Sequence, residues 1–153
     1  MNIELIIGIL NIVLISTTPL VFAGIGELVT EKSGVLNLGL EGLMLMGAVS
    51  GFIVLVLTGN YFFSFFASII SGMVLSLIFA FFVLNLLTNQ IATGLALTIF
   101  GIGLSAMLGK KFSGTPIDGL SPYYFIISSF LIVILVHHIL YKTRIGLIVR
   151  SVG

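Results

Sequence analysis

From Gly42 to Gly109 the chain carries no Asp, Glu, Lys or Arg, an unbroken run of 68 residues. As helix, at about 1.5 Å per residue, such a run is roughly 100 Å long. The hydrocarbon core of a bilayer is only about 30 Å thick. The run therefore folds back and crosses about three times. Two turns are needed, and two sets of breaking residues supply them: "TGN" at 58–60 and "NLLTNQ" at 85–90. The spans then fall near 38–57, 61–84 and 91–109. Residues 5–24 make an earlier span and 122–141 a later one. Between the last two lies the polar loop "KKFSGTPIDGLSP" at 110–122. Open sheets cannot cross lipid, and no ten-residue alternating pattern points to a barrel. The expectation is an all-α polytopic transmembrane bundle of about five segments, forming a single transmembrane domain over 1–153.

Composition agrees. The chain is 59% hydrophobic and 7% charged, with a mean hydropathy of +1.33, whereas a soluble domain carries about 25% charged residues. A net charge of +1 with no basic patch argues against nucleic acid as a partner. There is no cysteine, hence no thiolate nucleophile, thiolate metal site or disulfide framework. No nucleophile with a base and an orienting group can be picked out, so an enzyme is not expected. The start, "MNIELIIGIL", has Glu4 as its only charge and lacks the basic region of a signal peptide, so residues 1–24 read as a retained span.

Lys142, Arg144 and Arg150 crowd one end with no acid beside them. The positive-inside rule puts them in the cytoplasm and the loop with Lys110, Lys111 and Asp118 outside. Tyr123 and Tyr124 at one end of the last span and Tyr141 at the other suit an aromatic belt. His137 and His138 fit an interfacial pair better than a metal site, since no third ligand is in view.

Small residues recur at helical spacing. Ser64, Ser68, Gly72, Ser76 and Ala80 form one stripe; Gly101, Ser105 and Gly109 form a second; Gly47 and Gly51 make a GxxxG. Such stripes let helix backbones approach closely where lipid offers no hydrophobic drive to associate. Their expected role is packing.

The stretch "TEKSGVLNLGLEGLMLMGA" (30–48) is unusual, with Glu31, Lys32, Asn37 and Glu41 among glycines where a span should begin. Two readings stand. Residues 25–37 are an ordinary loop in which Glu27, Glu31 and Lys32 are solvated. Alternatively, a broken or re-entrant helix near 25–48 dips into the bundle, which requires protein or a water-filled cavity around it. Ser33-Gly34 breaks the chain, Asn37 suits an N-cap, and Glu41 falls in the first helical turn, where its charge suits the dipole. Glu41 then either caps or pairs with Lys32, or lines a transport path as an ionisable group at the membrane. Asn89 and Gln90, polar at a span end, face a cavity or make a loop hydrogen bond.

The segment "TTPLVFAGIGELVTEKSGVLNLGLEGLMLMGA" (17–48) resembles permease subunits of bacterial ABC importers for nucleosides and simple sugars, in the branched-chain amino acid/ribose-type permease family. "NQIATGLALTIFGIGLSAMLG" (89–109), "LSP" (120–122) and "YKTRIGLIVRSVG" (141–153) resemble later blocks of the same family in collinear order. The pattern E-K-S-G-x-x-N-x-G-x-E-G at 31–42 is the most specific. The resemblance implies a multi-pass subunit of the cell (inner or plasma) membrane. Its partners would be a second permease subunit, copy or paralogue, an ABC ATPase subunit and an extracytoplasmic substrate-binding protein. ATP would be used by the ATPase, with no cofactor or metal bound by this chain. Asn37, Glu41, Asn89 and Gln90 would then border the substrate pathway, and Lys142, Arg144 and Arg150 would lie at the cytoplasmic face near the ATPase. The chain itself lacks G-x-x-x-x-G-K-[ST]: Gly103 to Gly109-Lys110 has one residue too many, and Lys111 stands where Ser or Thr should be.

Other readings are an ion-coupled secondary transporter, with Glu27, Glu31 or Glu41 as coupling carboxylates, and a purely structural membrane subunit. On the resemblance, this chain corresponds to the N-terminal half of a permease and stops before the coupling segment. It is therefore expected not to transport unaided. Vesicles holding this chain with an ATPase and a binding protein, but no other permease, should show no uptake above protein-free vesicles; uptake there would overturn the expectation.

Overall fold

A computed structural model describes residues 3–117 and 119–153. Asp118, the acid set against Lys110 and Lys111 above, lies outside the described residues. Six α-helices follow in order: α1 (Ile3–Lys32), α2 (Leu40–Thr58), α3 (Tyr61–Ala80), α4 (Gln90–Gly109), α5 (Pro122–Lys142) and α6 (Arg144–Val152). A π-helical turn, Phe81–Asn85, extends α3, and a 3₁₀ turn, Lys110–Phe112, extends α4. Among the described residues, five helices are long and apolar enough to cross a membrane. The chain is an all-α, polytopic membrane protein, as the charge-free run requires.

The first helix corrects the sequence reading. Residues 25–32 are neither loop nor re-entrant break: α1 runs unbroken for 30 residues. Gly24 and Gly26 sit in its course without ending it, because no competing cap stands beside them. The ending comes at Ser33-Gly34, where Gly34 takes φ +83°. There the Gly34 N–H donates to the Glu31 carbonyl at 3.0 Å and the Val35 N–H to the Thr30 carbonyl at 3.1 Å. This is the Schellman pair of bonds that satisfies the last helical carbonyls. At about 1.5 Å per residue α1 is roughly 45 Å long, longer than the hydrocarbon core. It tilts or protrudes, and Glu27, Glu31 and Lys32 lie in its last two turns. Pro19 stands inside α1. Just before it, the Thr17 and Thr18 hydroxyls donate back to the Val13 and Leu14 carbonyls of the preceding turn at 2.9 and 2.8 Å.

The two turns in the charge-free run fall where expected. Thr58 ends α2, with the Gly59 N–H on the Leu55 carbonyl at 2.8 Å, and the Asn60 side chain caps α3 by accepting from the Phe62 N–H at 2.9 Å. At the other turn Thr88 folds back on α3: its N–H and its hydroxyl both donate to the Phe82 carbonyl, at 3.2 and 3.0 Å. The Asn89 carboxamide then caps α4 by accepting from the Ile91 and Ala92 N–H groups at 3.0 and 3.1 Å.

The helices fall into two compact units, residues 3–35 with 119–153 and residues 36–117. In the second, α2 packs on both α3 and α4. On the α4 side the contact is backbone to backbone. A Cβ on Gly101 would lie 2.5 Å from the Gly42 Cα, and one on Gly42 would lie 2.7 Å from the Leu97 carbonyl oxygen. On the α3 side Gly51 meets Ser64 and Ser68. There the Ser64 hydroxyl donates to the Gly51 carbonyl at 2.7 Å and the Ser71 hydroxyl to the Met46 carbonyl at 3.2 Å. In the first unit, α1 packs along α5, and the Asn11 carboxamide donates to the Tyr123 hydroxyl at 3.1 Å.

Few large side chains are buried: Met46, Leu75, Phe79, Val83, Leu97 and Leu140. The Phe62, Phe63, Phe65 and Phe66 rings of α3 stand exposed. Contiguous apolar surface on this scale is foreign to soluble monomers and natural for helices in lipid.

Gly101→Ala should lower the thermal midpoint of the detergent-solubilised chain by several degrees, reflecting about 1–3 kcal/mol of overpacking. Gly103→Ala, two residues away with nothing within 4 Å of its Cβ position, is the control and should leave the midpoint unchanged or raise it. Equal midpoints for the two variants would contradict the close α2–α4 approach.

Candidate functional site

Several polar side chains meet the main chain where residues 36–39 cross the first half of α4. The Leu36 N–H donates to the Gln90 side-chain oxygen at 2.8 Å. The Gly39 N–H donates to the Asn37 side-chain oxygen at 2.8 Å. The Leu38 carbonyl accepts from the Thr98 hydroxyl at 2.8 Å. Leu36, Leu38 and Gly39 of this irregular segment thus each have a main-chain group with a hydrogen-bond partner.

Glycines bring the two strands of chain together. A Cβ on Gly94 would sit 2.7 Å from the Leu38 nitrogen and 3.0 Å from the Gly39 nitrogen. One on Gly39 would meet the Asn37 side-chain oxygen and Leu97 Cδ2, both at 2.8 Å. Main chain blocks a side chain at Gly94, whereas at Gly39 the ends of the Asn37 and Leu97 side chains would have to shift. From this crossing the contact runs on along α2 and α4 to the Gly42–Gly101 approach and to Gly109, whose Cβ position lies 3.2 Å from Val49.

Asn37 does not cap α2 in the way its position suggested. The N-cap position is Gly39, and the first helical bond runs from the Leu43 N–H to the Gly39 carbonyl at 3.1 Å. Asn37 stands two residues too early to reach the first helical N–H groups. It closes a turn onto Gly39 instead, and it is buried. Glu41 does lie in the first turn of α2. It is exposed, and its carboxylate has no partner among the described residues.

Asn89 and Gln90 separate in role. Asn89 is exposed and occupied with capping α4, whereas Gln90 holds residue 36. Of the pathway candidates, the structure thus brings Asn37 and Gln90 to one crossing, places Asn89 beside it as a cap, and leaves Glu41 one turn into α2.

Among the small residues, Gly47 and Gly51 face Ser68 and Ser64. Gly72 has nothing within 4 Å of its Cβ position and Ser76 is exposed, so the α3 stripe makes close contact only over its first half. Ser105 is half-buried and donates to its own helix, at the Ile102 carbonyl, 3.0 Å away. In the other unit, Arg150 lies over the Tyr141 ring, 4.9 Å from its centre, and bonds the Gly146 carbonyl at 3.3 Å. Lys142 and Arg144 are exposed. The His137 ring lies tilted at 33° to the Tyr141 ring, 4.9 Å between their centres.

Thr98, Gly94 and Ser71 were not singled out from the sequence. A signal existed for Gly94: it stands seven residues before Gly101, two helical turns up the same face, opposite the pair Gly39 and Gly42. Thr98 carried none, since a lone threonine in an apolar helix ordinarily bonds its own preceding turn.

The chain belongs to the family described as branched-chain amino acid transport system / permease component, whose model matches residues 9–153. It is thus a member of a membrane transport family. It is 44% identical to a Haloferax volcanii protein carrying the provisional name of glucose ABC transporter permease, over 73% of this chain and 34% of that one. It is 28% identical to a guanosine ABC transporter permease of Bacillus subtilis, over 97% of this chain and 57% of that one. It is also 30% identical to a nucleoside ABC transporter permease of Lactococcus lactis, over 92% of this chain and 54% of that one. The chain spans between a third and little more than half of the length of these relatives. No solved structure matches it.

Replacing Gln90 separates the hydrogen bond from mere polarity. Gln90→Leu leaves the Leu36 N–H without its acceptor and should cost about 0.5–1.5 kcal/mol, read as a lower midpoint and faster proteolysis at residues 33–39. Gln90→Glu retains an oxygen at the same reach and should lose less. Equal losses in both variants would refute the 2.8 Å bond as the reason for Gln90.

Proposed function

We propose that this chain forms part of the translocation wall of an ATP-driven importer for a nucleoside or a simple sugar. The observation that carries the reading is the family match over 9–153, joined to relatives named for glucose, guanosine and nucleoside transport. The chain works with a second permease subunit, an extracytoplasmic substrate-binding protein and a cytoplasmic ATPase. It binds no cofactor, performs no chemistry of its own and resides in the cell membrane. The end bearing Lys142, Arg144 and Arg150 is the cytoplasmic one, by the positive-inside rule, and is the side from which the ATPase acts.

Within this reading the crossing of residues 36–39 over α4 is the element that borders the pathway. Irregular backbone inside a membrane protein marks where transporters place substrate and gates, because only there is protein or water available to satisfy it. Asn37 and Gln90 hold that backbone in place; Glu41 adds an exposed carboxylate one turn further on.

The experiment is uptake by the assembled importer in proteoliposomes, with radiolabelled guanosine and glucose as probes. Uptake should depend on ATP inside the vesicles and survive an ionophore. Uptake that collapses with the ionophore and persists without ATP would overturn the reading in favour of ion coupling. Asn37→Ala should slow uptake about tenfold or more, as expected when a buried acceptor worth over 1 kcal/mol is removed from a positioned backbone.

A further inference from the structure

The last helix lies across the ends of two membrane spans. The Asn11–Tyr123 bond joins the early part of α1 to the first turn of α5, so these two helices run in the same direction and end on the same side. At that end Thr143, in extended conformation, is the sole residue between α5 and α6. The two helices fold tightly on each other: a Cβ on Gly146 would collide with the Ile139 and Leu140 carbonyl oxygens. At its far end α6 reaches α1, where a Cβ on Gly34 would lie 3.2 Å from the Gly153 Cα. A helix of nine residues, about 14 Å long, is too short to span. It is strung between the ends of two parallel helices instead.

Its sides differ. Ile145, Ile148, Val149 and Val152 follow the i, i+3, i+4, i+7 spacing of one helical face, and Ile145, Ile148 and Val152 are each at least 60% exposed. Leu147 and Ser151 lie round the helix from that face. From residue 119 to 153 there is no acid, while Lys142, Arg144 and Arg150 supply three fixed positive charges. Arg150 is engaged with Tyr141 and the Gly146 carbonyl. Lys142 and Arg144 are exposed and have no partner among the described residues. The nearby α1 end adds Lys32 against Glu27 and Glu31.

We propose that α6 is an interfacial helix, its Ile145–Ile148–Val152 face seated in the bilayer boundary and Lys142 and Arg144 bound to anionic lipid headgroups. Short helices with an apolar face and basic flanks bind in this way, about 5–10 Å into the headgroup region, and basic residues beside a membrane helix favour anionic lipid. The proposal rests on the chain being a membrane protein and is independent of its substrate.

The chain has no cysteine, so single cysteines report cleanly. Ile148→Cys and Ser151→Cys, each carrying an environment-sensitive fluorophore, are compared in the assembled importer in proteoliposomes containing a lipid-borne nitroxide quencher. Quenching at 148 should exceed that at 151 about twofold or more, given the insertion depth of such a face. The contrast should grow when phosphatidylglycerol replaces part of the phosphatidylcholine, and Lys142→Gln with Arg144→Gln should abolish that growth. Equal quenching at the two positions, or a contrast indifferent to lipid charge, would overturn the proposal. So would a label at 148 that is shielded only when the ATPase subunit is present, which would assign the face to protein. A failure of ATP-driven uptake in the same vesicles would count against the importer reading alone.

Discussion

Backbone N–H and C=O groups that enter lipid have no water to turn to, and every interruption of a helix must be satisfied from within the chain. This condition accounts for the polar residues that stand at the helix ends in and beside the long charge-free region. Asn60 and Asn89 cap helix starts, Thr88 closes the turn after α3, and Gln90, Asn37 and Thr98 serve residues 36–39. Outside that region the same condition is met at the end of α1 by the Schellman bonds of Gly34 and Val35. One set of polar residues in this protein is thus placed by where its helices stop.

Close helix approach is the second consequence. With apolar side chains as well solvated by lipid as by one another, α2 and α4 gain by bringing backbones together, and Gly39, Gly42, Gly94 and Gly101 make that possible. The same glycines let residues 36–39 lie flat on α4, so that the Thr98 hydroxyl and the Gln90 carboxamide reach the main chain. Packing and polar satisfaction are one arrangement here. A bulky side chain at Gly94 would displace the irregular segment and strand its N–H groups. On α3 the serines do both jobs themselves, since Ser64 and Ser71 are small enough for contact and donate across to α2.

The unit of α2, α3 and α4 holds an irregular crossing by hydrogen bonds, with an exposed carboxylate at Glu41 in the first turn of α2. In the other unit two parallel helices meet a short basic one. Its charges are arranged by topology. The parallel run of α1 and α5 brings Lys142, Arg144 and Arg150 to the end that also carries Glu27, Glu31 and Lys32.

Much of this was legible without coordinates. Charge avoidance over 68 residues, set against the thickness of a bilayer, compels repeated crossing, and Gly, Asn and Thr clusters mark the turns because those residues punctuate helices wherever they occur. The turns at 58–60 and 85–90 and the family pattern at 31–42 needed nothing more, since each depends on residues adjacent in sequence. The tertiary structure decided what depends on residues far apart. It carried α1 on to Lys32, where local cues suggested an end near residue 24, because only a formed cap at Gly34 terminates it. It moved Asn37 from a helix cap to a buried turn, since which N–H it can reach is set by how Gly39 lies against Gly94. It gave Gln90 a partner 54 residues away and Thr98 one 60 residues away. Hydropathy measures how each residue meets lipid, but hydrogen bonds between distant segments depend on which backbones can approach, and that is settled only when the helices pack.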